Sequence, residues 1–222
     1  MQNGYILDLE NWAKSLTEVE LGKYWTRGTL LRKSVPDITT ETINRYKKIN
    51  GHLNASSILD DLFKEYDADI FLSHSHKDSR NVMLFAGYLR ELGFLPFVDS
   101  FVWGSADDLL RKINNTYSRI DGKLNYDEVL RTSPKVYMIL NAALINMINR
   151  TDKFILLETP QTIQRGNTQS PWIYSELLYS KMFCPTQPIC EHTDIDYPVY
   201  TAHLEKLPVN EIERVLCGPA LL

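Results

Sequence analysis

The stretch Ser170 to Leu177, SPWIYSEL, places a tryptophan and a glutamate one helical turn apart directly after a polar loop. Ser170 suits the N-cap and Pro171 the first helical position, so the register of this helix is set from its first turn. Trp172 and Glu176 then share one stripe at i and i+4, while Ile173 and Leu177 form a second stripe that can face a core. A carboxylate beside an indole, on a rigid element reached from a loop, suits binding and acting on a small molecule. Other reactive patterns are sparse. Cys184, Cys190 and His192 match no common zinc spacing and have no evident fourth ligand, and His74 and His76 have no further ligand near them, so no metal site is expected. With no CxxC spacing, Cys184, Cys190 and Cys217 read as reduced thiols.

The elements that must position these residues change texture along the chain. Residues 1–66 read as an α-helical N-terminal extension. Leu9, Trp12, Leu16 and Val19 recur at helical spacing, Ser34-Val35-Pro36-Asp37 is a break, and Thr40 and Ser57 can cap further segments carrying Ile43 and Tyr46, then Leu59, Leu62 and Phe63. From residue 67 to 222 the pattern is that of a main domain. ADIFLS (68–73) is a short apolar run read as a buried strand, and Val82, Phe85, Ala86, Leu89 and Leu92 mark a helix ended by Gly93. FLPFVD (94–99) is a second strand and SFVWGSADD an irregular stretch. Asp121-Gly122 is a turn, and Tyr126 to about Asn149 is helical with a break near Ser133-Pro134. KFILLET (153–159) has the continuous apolar character of a central parallel strand, and YPVYTAHL (197–204) is a further strand candidate before a last helix from Val209 to Leu216. Strand and helix alternate as in a doubly wound α/β sheet with parallel strands, whose ligands bind beyond the carboxyl ends of the strands.

Composition excludes several classes. The 222 residues carry a net charge of -4, with 44% hydrophobic and 23% charged residues, which is ordinary for a globular protein and offers no basic footprint for nucleic acid. The N-terminus has neither a basic n-region nor a long apolar run, and the richest apolar stretch, Val136 to Ile148, is interrupted by Asn141 and Asn146. A cytoplasmic protein without membrane or nucleic-acid partners is the expectation.

Four segments in order resemble the Toll/interleukin-1 receptor (TIR) domain family. DIFLSHSHKDS looks like its opening strand and loop, LGFLPFVDS like its helix end and second strand, KFILLET like its third strand, and SPWIYSEL like its S-x-W-x-x-x-E signature. The likeness covers roughly residues 67–202. The stretch from Asp99 to Asp152 is longer than in receptor-type members and is closer to bacterial stand-alone proteins, and the region around Pro185 and Pro188 forms a poor fourth strand. The resemblance implies a flavodoxin-like fold and, for catalytic members, cleavage of NAD+ as substrate with no separate cofactor. It places the essential glutamate at Glu176. For Thoeris-type antiviral defence it implies an NAD+ nucleosidase or ADP-ribosyl cyclase whose product, linear or cyclic, is read by a separate effector, with self-association through the domain.

Cleavage of NAD+ needs no general acid, because nicotinamide is already a cationic leaving group; it needs a carboxylate near an oxocarbenium-like ribose and control of water. Glu176 is the catalytic candidate. Trp172 either walls the nicotinamide pocket or packs in the core. His74, Ser75 and Lys77 precede a helix N-terminus, a favourable place for a pyrophosphate, or form a solvated loop. Asp99 could reach a ribose hydroxyl or cap a loop; Phe101 and Trp103 could stack on a base or contact protein; Arg165 could meet a phosphate. Two other readings stand beside this one, a non-enzymatic interaction or adaptor module and a deoxyribosyltransferase-like enzyme acting on an N-glycosidic bond.

Overall fold

The computed structural model describes residues 3–35, 67–104, 106–183, 197–198 and 201–218. They divide into two compact units, one holding 1–34, 67–98 and 147–222, the other 35–66 and 99–146. The expected helices at Thr40 and Ser57, and Cys184, Cys190 and His192, lie outside the described residues.

The first unit is built on a five-stranded, wholly parallel sheet. Its strands are β1 (Asn3–Asp8), β2 (Ile70–Ser73), β3 (Pro96–Val98), β6 (Lys153–Glu158) and β9 (Glu205–Lys206), in the order β3-β2-β6-β1-β9. β2 is buried along its whole length and β6 at its four inner positions, as strands covered on both faces must be. The phenylalanines stack across the middle. Phe71 lies 5.4 Å from Phe97 and 5.7 Å from Phe154 between ring centroids, three neighbours on one face of adjacent strands.

The N-terminus departs from the helical reading. Asn3–Asp8 is a strand in full register with Lys153–Glu158 and also pairs with β9, so residues 3–34 belong to the sheet unit and are not a separate extension. Tyr5 and Leu7 are buried there. A run as short as GYIL has no readable period, and only its pairing partner makes it a strand. Leu9 to Val19 is likewise two helices, α1 (Leu9–Lys14) and α2 (Glu18–Ser34). Thr17 starts the second: its N–H and hydroxyl donate to Glu20 Oε2 at 2.8 and 2.6 Å, and Glu20 N–H returns to Thr17 Oγ1 at 3.4 Å, a capping box. Val19 is consequently on the exposed face.

After β2 a 3-10 turn, His76–Asp78, leads into α3 (Ser79–Glu91). Its end is a Schellman motif: Phe94 N–H donates to Leu89 O at 3.0 Å and Gly93 N–H to Arg90 O at 3.2 Å, with Gly93 at φ +90°. α2 and α3 cross in very close contact through glycines. A Cβ on Gly28 would stand 2.1 Å from Met83 O, and one on Gly87 would stand 1.9 Å from Tyr24 O. Trp12 of α1 closes this layer, edge-on to Phe85 at 4.9 Å.

Beyond β6, β7 (Asn167–Thr168) precedes α7 (Pro171–Phe183). Among the described residues of YPVYTAHL, Tyr197–Pro198 (β8) pairs antiparallel with β7 and residues 201–204 form a turn, Leu204 N–H donating to Thr201 O at 2.8 Å; the edge strand of the parallel sheet is the later β9. Proline cannot donate to an internal ladder, which suits a two-residue ribbon. Val209–Glu211 is 3-10 and α8 (Ile212–Cys217) closes the described chain.

The second unit contains α4 (Asp99–Trp103), α5 (Ala106–Tyr117), a hairpin of β4 (Arg119–Ile120) and β5 (Lys123–Leu124), and the greater part of α6 (Tyr126–Arg150). The stretch read as irregular is thus helical at 100–103 and 106–108, with Gly104 at φ +67° after the first helix. The hairpin turns on Asp121 and Gly122, both left-handed, as a two-residue turn requires. α6 continues through Pro134, where a break was expected; the proline removes one ladder bond, which packing of Val136 and Leu140 on the same helix offsets. Among the described residues no helix is long and apolar enough to cross a membrane.

Candidate active site

Chain connectivity places a topological switch point in the first unit. From β2 the chain moves outward to β3, whereas from β6 it moves the other way, past β1, to β9. Adjacent strands whose connections diverge leave room for a ligand beyond their carboxyl ends. The two loops at those ends are Ser73 to Asp78 and Thr159 to Ser170.

α7 rises from the second loop with the start its sequence specifies. Ser170 Oγ accepts from Ile173 N–H at 3.3 Å, and Pro171 occupies the first turn. Ile173 and Leu177 are buried as the core stripe. Glu176 is also buried, at 2% exposure, and the Ser73 hydroxyl donates to its Oε2 at 2.6 Å. A polar side chain at that depth needs hydrogen-bond partners to offset its burial. One turn further on, the buried Ser180 donates to Leu177 O at 3.0 Å and lies 2.8 Å from His203 Nε2, so a second polar contact fixes the same helix.

His74 is 6% exposed and 3.1 Å from Leu72 O through Nδ1. A carbonyl only accepts, so Nδ1 carries the proton and Nε2 is the acceptor nitrogen of the neutral ring. Burial pushes the His74 pKa down to about 4, against smaller opposing effects of the Leu72 carbonyl and the Asp78 charge. At neutral pH His74 is therefore an uncharged ring and supplies no positive charge for a phosphate. Ser75 Oγ accepts from Lys77 N–H at 3.3 Å and caps the 3-10 turn, and Lys77 itself is exposed.

The two loops are tied together. Thr159 Oγ1 donates to Asp78 Oδ2 at 2.6 Å, and the Thr159 N–H donates to Thr162 Oγ1 at 2.8 Å. Asp78 stands at the N-cap of α3 but spends its carboxylate on Thr159 and makes no side-chain capping bond.

The structure thus gathers Ser73, His74, Asp78, Thr159 and Glu176 about the ends of β2 and β6. Trp172 is half-buried on the first turn of α7. Asp99, Phe101 and Trp103 fall in the second unit, all three buried on α4, where Asp99 Oδ1 accepts from Ser100 N–H at 2.7 Å. Sequence reasoning passed over Ser73, Asp78 and Thr159. A hydroxyl ending an otherwise apolar strand was the available signal for Ser73; nothing local marks Asp78 or Thr159, whose roles come from a partner 81 residues away. Among the described residues no group of three or more His, Cys, Asp or Glu side chains is placed to hold a metal ion.

No protein-family model matches the chain, and neither a curated protein nor a solved structure does.

Proposed function

We propose that this chain is a TIR-like enzyme that cleaves the nicotinamide–ribose bond of NAD+, with Glu176 as its catalytic carboxylate. The observation that supports the reading most is the Ser73–Glu176 hydrogen bond, which holds a buried carboxylate in one orientation at the end of β2. Helix glutamates ordinarily lie in solvent, and burying one without a use is costly. In the proposed step nicotinamide departs with the bonding electron pair as a neutral molecule. The cationic anomeric carbon left behind is stabilised by the Glu176 carboxylate. Attack by water then releases ADP-ribose and a proton, and attack by an adenine or ribose atom of the same molecule gives a cyclic isomer.

The substrate must reach a carboxylate that is almost fully covered, so the Asp78–Thr159 tie opens, or α7 shifts, before turnover. A basal state of low activity follows. Together with the bacterial character of the motifs, this suits a cytoplasmic signal producer in antiviral defence whose product acts on a separate effector.

Mass spectrometry of the products formed from NAD+ tests the proposal. Release of nicotinamide with ADP-ribose or a cyclic isomer, abolished in Glu176→Gln, is the expected result; undiminished release by that variant overturns the role of Glu176. Transfer of a deoxyribosyl group between bases would identify the transferase alternative. A second reading, an interaction module, draws support from the second unit, where Ile120, Leu124, Tyr126 and Leu130 are exposed. Absence of any nucleotide product, with self-association lost on replacing Tyr126 and Leu130 by serine, would favour it.

A further inference from the structure

The turn between β6 and α7 carries an arginine in a backbone conformation that arginine disfavours. Arg165 has φ +52° and Gly166 φ +79°, the central pair of a two-residue turn closed on both sides, with Gln164 N–H donating to Asn167 O at 2.8 Å and Asn167 N–H to Gln164 O at 3.0 Å. Such turns call for Asn, Asp or Gly at the first central position because a Cβ crowds the left-handed region. A second turn of this kind among the described residues obeys that rule, with Asp121 before Gly122. Arg165 does not, and its side chain gains nothing locally. Among the described residues it makes no hydrogen bond or ion pair, although other arginines do: Arg27 with Glu91, Arg90 with Phe94 O, Arg111 with Asp108, Arg119 with Gly122 O, Arg131 with Glu128 and Arg214 with Glu211. Arg80, at the start of α3, shares this lack of a partner but sits in relaxed helix. An exposed guanidinium held on a strained, tightly closed turn has its return elsewhere, and a planar fork of donors is the chemistry that recognises phosphate.

We propose that Arg165 recognises the phosphate of a nucleotide ligand bound beyond the ends of β2 and β6, and so sets the enzyme's preference for phosphate-bearing substrates over nucleosides. This rests on the reading that a nucleotide occupies that position. Arg165 lies in the loop that leaves the carboxyl end of β6, and its side chain is exposed there. The strained backbone angle is the trade: the residue best for the turn is poorer for the ligand.

The test uses the full chain and Arg165→Asn, which relieves the turn and removes the fork. Calorimetry with ADP and with adenosine as probes reads binding without turnover. Wild type is expected to bind ADP at least tenfold more tightly than adenosine; Arg165→Asn loses that preference, keeps its affinity for adenosine, and melts at a higher temperature. Arg165→Lys recovers part of the preference. Equal ADP affinity in wild type and Arg165→Asn, or no preference for ADP in wild type, overturns the proposal. Wild type that binds ADP through Arg165 yet releases no nicotinamide from NAD+ would retain this inference and remove the enzymatic reading, so the two fail separately.

Discussion

The Ser73 hydroxyl donates to Glu176 Oε2 at 2.6 Å, joining the last residue of β2 to the middle of α7 across 103 residues of sequence. At 2% exposure there is little water to replace this bond, so its loss costs more than that of a typical exposed one. Ser73→Ala is expected to cost about 1–3 kcal/mol of stability by chemical denaturation. It should also lower nicotinamide release about tenfold, the equivalent of ~1.4 kcal/mol in transition-state energy. Glu176→Gln keeps an acceptor oxygen for Ser73, so its melting temperature should stay within a few degrees of wild type while activity is lost. A serine variant as active as wild type would show that the hydroxyl does not position the carboxylate.

His74 makes the fold sensitive to acid. Its folded pKa of about 4 lies below the ordinary histidine value of 6.5, so between those values the unfolded chain binds a proton that the folded chain does not. The stabilisation is complete above about pH 6.5 and is lost as pH falls towards 4, with a magnitude on the order of 3 kcal/mol. His74→Asn can keep a donor to Leu72 O without the titration. Urea midpoints taken from pH 7 to pH 4 should fall less steeply in that variant, and parallel curves would rule out His74 as the source.

The α2–α3 crossing depends on two missing side chains. Gly87→Ala places a methyl 1.9 Å from Tyr24 O, and Gly28→Ala one 2.1 Å from Met83 O, each against backbone that cannot turn aside. Each should destabilise by about 3 kcal/mol, at the upper end for overpacking. Gly22→Ala, in the same α2 but with nothing within 4 Å of its Cβ, should stabilise by up to ~1 kcal/mol through helix propensity. A destabilised Gly22→Ala, or a neutral Gly87→Ala, would contradict this packing in thermal melts.

Thr159→Val removes the hydroxyl that ties the β6 loop to Asp78. Losing about 1 kcal/mol of hydrogen bonding corresponds to an open state about fivefold more populated. Amide exchange around Ser75–Asp78 and Gln161–Ile163 should quicken, and basal nicotinamide release should rise by a similar factor. Exchange that is unchanged in both loops would show that other contacts hold them together.

Local signals carried much of this molecule. The apolar runs IFLS and FILLE could only be buried strands, Gly93 ends α3 with a positive φ, Asp121-Gly122 turns the hairpin, and Ser170-Pro171 sets the phase of α7 and hence the side on which Glu176 lies. Each is decided within a few residues, by sterics or by one hydrogen bond, and is therefore legible in sequence. Tertiary structure decided what depends on distant partners. Asn3–Asp8 became an inner strand because β6 and β9 flank it, while Tyr197–Pro198 pairs with β7 outside the parallel sheet. Glu176 was visible as a carboxylate on a helix stripe; its burial and its bond to Ser73, and the tie of Asp78 to Thr159, arise only when strands separated in sequence are brought side by side. A chain writes its local conformations into neighbouring residues, but the depth and partner of a polar group are properties of the packed whole.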